Sequence, residues 1–595
     1  MATQLDDPAL ALFPRPAPPP RTAHLDRAHL GNIEGALGSI AEDEHAPRDT
    51  WRKRFVTLMA IVGPGLIVMV GDNDAGAFGT YAQAGQNYGT DLLWVLLLLV
   101  PVLYINQEMV LRLGVVAGVG HARLILERFG KFWGAFSVID LFLLNALTIV
   151  TEFIGITLAV GYLGLPKVPS VIVAAILVVA AASTGSFRRF ERMCLVMVGL
   201  SLLLIPVYIL SHPSTETVAH DFITPVFPHG AKLSDVMLLI IGIVGTTVAP
   251  WQLFFQQSYI VDKRISARFM KYEKADLWIG IVLVVVGAAA MFGFCYATFK
   301  GHSEFGNFTD ARGTAEGLQK YVGHAAGIMF AIALLDASVI GAAAVGLSTS
   351  YAVSDAIGVN HSLHRQPGEA KGFYAIYALL MAIAATIVLI PGSPLGLLTQ
   401  GVQTLAGVLL PSAVVFLLLL CNDKAVMGPW ANSTRLNIIT SAIIWILVLL
   451  SIILTASVLF PGISGTTIVA ILAGGSSVGL VLGAGLLIQS ARHKRLVPPA
   501  DLSRGTASST SAVQAGHAAA ATAPDNTGTA ADQETGQVAT LTCAEKLDWR
   551  MPPLANLTRP VLSTQRKTGL GVLRGYLLLA TILVIVKIVQ VALGG

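Results

Sequence analysis

The residues with the clearest potential for chemistry are two carboxylates in an otherwise apolar segment. Asp72 and Asp74 flank Asn73, and Gly71 and Gly76 bracket the group. Glycines in this position favour an unwound stretch of backbone whose carbonyl groups lack helical partners. Carboxylate and carbonyl oxygens are the ligands that hard divalent cations such as Mg²⁺ and Mn²⁺ prefer. The segment therefore predicts a cation site.

A second interruption is predicted in a later apolar segment, at Pro250. This residue has no backbone N–H, and it disfavours the helical conformation at Ala249. Taken alone, a proline in a membrane helix is more often a simple kink than part of a binding site. Paired with the acidic segment, it indicates the second half of the same site.

Four further acidic residues lie in or beside apolar segments, namely Glu108, Asp140, Glu152 and Asp336. Ionisable side chains at membrane depth are costly and usually functional. Each of the four has an interhelical hydrogen bond or ion pair as its alternative role, and the sequence leaves both roles open.

No motif typical of catalysis accompanies these residues. The sequence contains no HExxH motif and no cluster of Cys and His, and its four cysteines are widely spaced. We therefore expect neither an enzyme nor a bound cofactor. The net charge is only +4, and the basic residues form short clusters rather than one stripe, which argues against nucleic acid as a partner.

The elements that must hold these residues are membrane helices. Of the 595 residues, 54% are hydrophobic and 12% are charged, against roughly 25% charged in an average soluble protein. Apolar windows of about 20 residues, enough to cross a hydrocarbon core of about 30 Å, recur along the chain. The sequence predicts an all-α, polytopic membrane protein with about 13 spans, at about 56–80, 91–111, 134–163, 169–184, 193–211, 236–260, 276–298, 323–350, 373–390, 397–421, 437–460, 466–489 and 571–592.

The spans divide the chain into six predicted parts. Basic residues cluster in connections that fall on one side, for example at 52–54, 263–274 and 492–495, so the N-terminus is expected to be cytoplasmic. The parts are a polar N-terminal tail (1–54), a first five-helix unit (55–212), a second five-helix unit (213–421), two further spans (422–490), a disordered cytoplasmic linker (491–570) and a last span (571–595).

The two interruptions fit the plan of an inverted repeat. Because five is an odd number, two copies of a five-helix unit are inserted with opposite topology, as in many secondary transporters. In such proteins the corresponding helices 1 and 6 are both broken near mid-membrane. Asp72 to Asp74 and Ala249 to Pro250 lie where this plan requires the breaks.

Several motifs resemble the NRAMP family of divalent-metal transporters over roughly residues 55–460. Asp74-Ala75-Gly76-Ala77 stands where that family has Asp-Pro-Gly-Asn, and Ala249-Pro250-Trp251 stands where it has Met-Pro-His. Further similarities are the segments 151–155 and 185–191 and the placement of Gln403 eight residues before Pro411. The resemblance implies a transporter of divalent cations that works by alternating access.

The resemblance also implies a set of metal ligands, at Asp74, Ala77, Ala249 and the carbonyl of Thr246. Ala77 stands in place of an Asn and Ala249 in place of a Met, so two ligands have lost their side-chain chemistry. Losing the thioether should weaken the preference for softer metals. The remaining contacts that we expect, directly or through water, are Asp72, Asn73, the carbonyl of Gly71 and Gln403.

Other segments are more similar to the NRAMP-related magnesium transporters. They are 107–109, 245–251 and 255–258. This similarity implies a wider site in which the ion keeps part of its water shell, as the chemistry of Mg²⁺ favours.

Proton coupling is expected to be weak or absent. The resemblance places Ile149 and Trp251 where typical members have an acid and a His, which leaves Glu152 without a relay. Asp140 and Asp336 are the other intramembrane charges considered for coupling. The predicted mechanism is uniport of Mn²⁺ and Mg²⁺, with Fe²⁺ as a further candidate, driven by the gradient and the membrane potential.

The alternative is a sodium-coupled carrier of amino acids or other small solutes with the same inverted repeat. For either function, the expected surroundings are the lipid bilayer, in a multi-pass arrangement in a bacterial inner membrane. The only expected ligand is the transported divalent cation, and no obligate protein partner is indicated.

Overall fold

The computed structural model describes residues 26–496, except positions 45, 229, 392–394 and 461–462, together with residues 542–557, 560, 567–575, 578 and 582. Most of this part of the chain is helical. One antiparallel hairpin, β1 (Ile33–Gly35) and β2 (Gly38–Ile40), precedes the first helix. The helices are α1 (Trp51–Ile61), α2 (Pro64–Val70), α3 (Ala75–Tyr88), α4 (Trp94–Ala117), α5 (His121–Phe129), α6 (Lys131–Tyr162), α7 (Lys167–Ala182), α8 (Phe187–Leu200), α9 (Leu204–Ser211), α10 (Thr215–Ile223), α11 (Leu233–Thr247), α12 (Pro250–Asp262), α13 (Met270–Phe299), α14 (Ala311–Tyr321), α15 (His324–Ile357), α16 (Lys371–Leu389), α17 (Leu395–Cys421), α18 (Lys424–Met427), α19 (Thr434–Leu459), α20 (Gly465–Leu496) and α21 (Cys543–Asp548).

Twelve of the predicted spans coincide with these helices. Within the described residues, ten helical stretches are long and apolar enough to cross a membrane, and the bent pair α1 and α2 makes an eleventh. The predicted fourth span is α7, which is apolar but only 16 residues long. The thirteenth predicted span lies almost wholly outside the described residues, so the number 13 is not confirmed, and the predicted boundaries of the six parts stay predictions.

Spans 1 and 6 are broken at the predicted places. Residues 71–74 separate α2 from α3, and residues 248–249 separate α11 from α12. Asp74 is extended, with φ −75° and ψ −174°, and it begins α3 as its N-cap. Ala249 is also extended, with φ −98° and ψ 144°, because it precedes a proline. Two broken helices five spans apart are what the inverted-repeat plan requires.

Span 1 has a further kink that the sequence analysis did not predict. α1 and α2 meet at Val62 and Gly63 with a bend of 53°. Gly63 has φ 157°, a conformation that glycine adopts far more readily than other residues. Pro64 then starts α2, at a position where its missing N–H is tolerated. The signal was present in the sequence as the adjacent Gly63 and Pro64.

Residues 26–44, in the predicted N-terminal tail, form an ordered segment that packs against the connections between spans. Asp26 accepts hydrogen bonds from Arg365, at 2.7 Å from Nη2, and from the N–H of His361 at 3.0 Å. Burial alone would raise the pKa of Asp26, but the hydrogen bonds from Arg365 and from the N–H of Ala28 outweigh it and hold that pKa well below its usual value. Arg264 donates to the carbonyl of Ala28 at 2.9 Å, which ties the segment to the connection between spans 6 and 7.

The predicted disordered linker is partly ordered, so that prediction was wrong for residues 542–557. Arg268 donates to Asp548 at 2.6 and 3.0 Å, and the N–H of Met551 donates to the carbonyl of Val116 at 3.1 Å. Met551 is buried. Periodicity could not reveal this segment because α21 has only six residues. Residues 497–541 of the predicted linker lie outside the described residues.

Candidate functional site

Asp74 lies at the positive end of a half-helix. Its Oδ1 accepts the N–H of Ala77 at 2.9 Å, so the carboxylate caps α3. The dipole of α3 favours a negative charge at this end. Asp74 is only 5% exposed, which leaves little water to stabilise its charge. A cation beside it would therefore be held mainly by protein oxygens.

Gln403 of α17 lies against the same helix end. Thr246 Oγ1 donates to Gln403 Oε1 at 2.8 Å, which links span 6 to span 10. A Cβ atom on Gly76 would lie 1.7 Å from Gln403 Nε2 and 3.2 Å from Asp74 Oδ1. The glycine therefore leaves room for the Gln403 amide beside the Asp74 carboxylate. Polar groups of spans 1, 6 and 10 therefore converge here.

Two backbone carbonyls at the breaks lack their α-helical hydrogen bonds. The residue four positions after Thr246 is Pro250, which has no N–H to donate. The residue four positions after Gly71 is Ala75, whose N–H donates to Glu152 Oε2 at 3.1 Å instead. The carbonyls of Thr246 and Gly71 are therefore available as oxygen ligands for a cation.

Two of the predicted ligand positions contribute no side-chain donor. Ala77 and Ala249 are both buried, and each side chain is a methyl group. Trp251, close to Ala249, is 1% exposed and packs beside the break in span 1, where its Cη2 would lie 3.6 Å from a Cβ atom on Gly71. No titratable side chain occupies these three positions.

Asp72 belongs to a separate chain of hydrogen bonds. Its Oδ1 accepts from Gln252 Nε2, and Gln252 Oε1 accepts from Gln107 Nε2 at 3.1 Å. Its Oδ2 has no hydrogen-bond partner among the described residues. Sequence reasoning missed this pair of glutamines, because Gln107 of span 2 and Gln252 of span 6 are brought together only by the packing of the spans. Asp72 therefore lies on one side of the break, with one carboxylate oxygen still available to a cation.

Asn73 has one end of its amide engaged in the contact between spans 1 and 7. Its Nδ2 donates to the carbonyl of Val284 in span 7 at 3.3 Å, and it would lie 2.6 Å from a Cβ atom on Gly287. Its Oδ1 has no hydrogen-bond partner among the described residues, so the ligand role of Asn73 stays a prediction.

Glu152 of α6 lies beside Asp74, and its Oε2 accepts the N–H of the next residue, Ala75, at 3.1 Å. Gly341 of α15 permits this approach, since a Cβ atom there would lie 2.7 Å from Glu152 Oε2 and 3.0 Å from Asp74 Cβ. The sequence analysis treated Glu152 as an isolated acid. The structure instead makes it part of the same site.

The other two acids considered for coupling lie elsewhere. Asp140 precedes Glu152 by 12 residues on α6, which places it about 18 Å away along the helix axis at a rise of about 1.5 Å per residue. Asp336 is buried on the side of α15 that faces Cys194 of span 5. Neither joins Asp74 and Glu152.

A cavity leads from the site toward one face of the molecule. Thr80 and Gln403 line its inner end, and Asp310 and Phe308 in the connection between spans 7 and 8 line its outer end. On the other face, residues 26–44 pack across the connections between spans. The site is thus reached from the side that carries the connection between spans 7 and 8.

The chemistry of the site is that of oxygen donors. Among the described residues, no three His, Cys, Asp or Glu side chains converge closely enough to hold a metal ion. A divalent cation would need the carboxylate of Asp74, the carbonyls of Gly71 and Thr246, and water or the Gln403 amide to complete its shell. Such a mixed shell suits an ion that keeps some of its own water.

Comparisons with known proteins identify a family and relatives that this chain resembles. A family model described as natural resistance-associated macrophage protein-like (Nramp) matches residues 65–457. The divalent metal cation transporter MntH of Ralstonia nicotianae is 29% identical over 419 residues, covering 67% of this chain and 89% of the relative. The protein of the same name from Deinococcus radiodurans is 26% identical over 475 residues, covering 76% and 98%.

The fold is also similar to a solved structure. The crystal structure of the Eremococcus coleocola manganese transporter in complex with an aromatic bis-isothiourea substituted compound matches with a TM-score of 0.59. The identity is 22%, and the match covers 76% of this chain and 97% of that chain. At this identity the likeness shows a shared fold.

Replacing Gly76 tests the contact between Gln403 and Asp74. In Gly76→Ala the new methyl group should displace the Gln403 amide and break its bond with Thr246. A net loss of about 1 kcal/mol for one hydrogen bond corresponds to a roughly fivefold rise in the half-saturation concentration for metal uptake. Gly199→Ala, on α8 and outside the cavity, is the matched control, since nothing lies within 4 Å of its added Cβ. Equal kinetics in the two variants, measured by Mn²⁺ uptake into liposomes, would contradict the assignment.

Proposed function

The chain belongs to the Nramp family, and from that premise we propose that it carries divalent metal cations across a membrane by alternating access. The observation that carries the proposal is the convergence at the two helix breaks of the Asp74 carboxylate with carbonyls of Gly71 and Thr246 that lack helical partners. A membrane helix leaves such groups unbonded only where they line a cavity or bind a ligand. The names of the curated relatives, as divalent metal cation transporters, support the same substrate class.

The carboxylate of Asp74 is proposed as the principal ligand. Asp74→Asn keeps the cap on α3 because an Asn oxygen also accepts a hydrogen bond, but it removes the charge that attracts the metal. We expect saturable Mn²⁺ uptake to be lost while thermal unfolding in detergent is unchanged. The matched control is Asp140→Asn, on span 3 but remote from the site, which should retain uptake. Wild-type kinetics in a well-folded Asp74→Asn protein would refute the assignment.

The selectivity that we propose is poor discrimination between Mn²⁺ and Mg²⁺. Softer metals gain from a sulfur ligand, and Ala249 provides none. The other proposed ligands are oxygens, which both ions accept, and Mg²⁺ sheds its waters reluctantly. The site would therefore take both ions, partly hydrated, with Fe²⁺ as a further substrate. This is the behaviour implied by the similarity of residues 245–251 to the magnesium-transporting branch.

Competition measures this selectivity directly. Mg²⁺ should inhibit Mn²⁺ uptake at concentrations within about two orders of magnitude of the Mn²⁺ half-saturation value. Ala249→Met should shift the preference toward Mn²⁺ and Cd²⁺. Ala249→Leu adds similar bulk without sulfur and should not. Undisturbed Mn²⁺ uptake in a roughly thousandfold excess of Mg²⁺, a discrimination of about 4 kcal/mol, would rule out the magnesium-tolerant proposal.

Transport is proposed to be uniport rather than proton symport. Glu152 lies beside Asp74, but the three residues that precede it on span 3 are Ile149, Val150 and Thr151, and the preceding acid on that helix is Asp140. A proton leaving Glu152 along span 3 would have to pass about 18 Å without a titratable side chain of that helix. Trp251 offers none from span 6. These features support transport driven by the gradient and the membrane potential.

Proton movement tests the uniport mechanism. In liposomes whose membrane potential is clamped, Mn²⁺ uptake should leave the signal of an enclosed pH dye unchanged, because no proton accompanies the metal. Glu152→Gln should leave the ratio of protons to metal at zero even if it alters the uptake rate. One proton per Mn²⁺ in the wild type, lost in Glu152→Gln, would show symport through Glu152 instead.

The protein is proposed to reside in a bacterial plasma membrane with its N-terminus in the cytoplasm. The curated relatives named above come from bacteria, which supports the first part. The basic connections, residues 26–44 and residues 542–557 share one face, and the positive-inside rule would make that face cytoplasmic. The cavity to the site would then open to the outside.

A further inference from the structure

Four charged residues surround the kink between α1 and α2, away from the proposed metal site. They come from three different parts of the fold, and each is 0% exposed. They are Lys263 after α12, Glu191 on α8, and Glu273 and Asp276 on α13. One ammonium group thus faces three carboxyl groups in a region that water does not reach.

The ammonium group of Lys263 has no donor left for a further carboxylate. It donates to the carbonyls of Ile61 and Val62 at 2.6 and 2.9 Å, at the end of α1. Its third bond goes to Glu191 Oε1 at 2.7 Å. A lysine has three N–H donors, so all are used. The N–H of Ala36 in the N-terminal hairpin binds the other oxygen of Glu191 at 2.5 Å.

The start of α2 has no donor left either. The N–H groups of Gly63, Gly65 and Leu66 all donate to Asp276 Oδ2, at 3.2, 2.7 and 3.2 Å. Pro64 has no N–H. The N–H of Gly65 also lies near Glu273, but its hydrogen bond goes to Asp276. The positive end of α2 therefore balances the charge of Asp276.

Glu273 is left without compensation. Neither of its carboxyl oxygens has a hydrogen-bond partner among the described residues, and the same holds for Asp276 Oδ1. A buried carboxylate that is neither paired nor hydrogen-bonded is far less stable than its neutral form. Glu273 and Asp276 are three residues apart on α13, so their side chains lie on the same face of the helix.

We propose that Glu273 holds a proton. The proton removes the surplus negative charge that Glu273 would otherwise place beside Asp276. A metal ion is not favoured in its place, because no three acidic or His side chains converge on a common point among the described residues. This proton site does not depend on which solute the protein transports.

Other ionisable groups near the cluster have their own partners or are neutral. Tyr259 of α12 and Cys194 of α8 lie near Glu191. Arg188 and Arg192 of α8 donate to the carbonyls of Gly35 and Ala36. On the side of α4, Lys274 and Arg112 pair with Glu108 at 2.8 and 3.3 Å. Lys263 is the cation whose charge acts on Glu273, and its donors are all used.

The bound proton would make the kink sensitive to pH. When it leaves, two adjacent carboxylates repel each other beside the hydrogen bonds that hold α1 and α2 together. Raised pH on this face should therefore loosen the kink and admit water, and lowered pH should tighten it. The proton would change the rate of opening on this side without travelling with the metal.

Infrared spectroscopy of the full-length protein in detergent tests the proton site. The carbonyl stretch of a protonated carboxyl group should be present in the wild type, shift in ²H₂O, and lose the amplitude of one group in Glu273→Gln. Glu108→Gln is the control, since Glu108 is paired with two cations and should contribute no such band. An unchanged band in Glu273→Gln would overturn the proposal. Failure of that variant to fold would do so too, because Gln reproduces the size and neutral donor of the protonated acid.

Transport provides an independent readout of the pH effect. With metal uptake measured against pH on the face of residues 26–44, the wild-type rate should rise with pH. Glu273→Gln should lose this dependence and keep the rate that the wild type shows at low pH. The same pH dependence in both proteins would overturn the gating role. If the wild type shows no metal uptake at any pH, the proposed function is contradicted. The infrared result would still test the proton site in that case.

Discussion

The structure depends on one constraint, that a helix broken inside a membrane must still satisfy its backbone polar groups. Span 1 is broken twice and span 6 once, and each break recruits partners of a different kind. At the kink after α1, Lys263 donates hydrogen bonds to the carbonyls, and Asp276 accepts hydrogen bonds from the N–H groups. At the second break, Glu152 takes the N–H of Ala75. The carbonyls of Gly71 at this break and of Thr246 at the break in span 6 lack helical partners and remain for a ligand.

These breaks were only partly readable from the sequence. Asp72 to Asp74 and Pro250 were visible because charges and proline are exceptional within apolar segments. Spans 1 to 12 were readable from hydropathy because long apolar segments stand out from the polar connections between them. The contact of Asn73 with span 7 and the proximity of Glu152 to Asp74 could not be predicted from the sequence, because both depend on how the spans pack. Hydropathy reports burial in lipid, whereas these contacts join residues that are 77 or more positions apart.

Glycines do much of the positioning at the proposed metal site. Gly76 admits the amide of Gln403 and Gly341 admits the carboxyl of Glu152, each at a distance that a methyl group would block. Small residues of this kind allow close approach of membrane helices. The side chains missing at Ala77 and Ala249 have a similar effect, since each leaves space instead of a ligand. Space in a site lined by oxygens is occupied by water, which favours an ion that keeps its own hydration.

The N-terminal hairpin also has a consequence for how the protein is made. Asp26 is bound by Arg365, which lies 339 positions later in the chain. During synthesis, Arg365 therefore emerges only after eight spans have entered the membrane. Until then, Asp26 cannot form its ion pair. On this face, the segment that is synthesised first therefore contacts the connection that follows span 8. A polypeptide interrupted before residue 361 would keep the contacts of Arg264, Arg188 and Arg192 with this segment. It would lose both partners of Asp26, which leaves the first residues of the segment more accessible to proteases that remove incomplete chains.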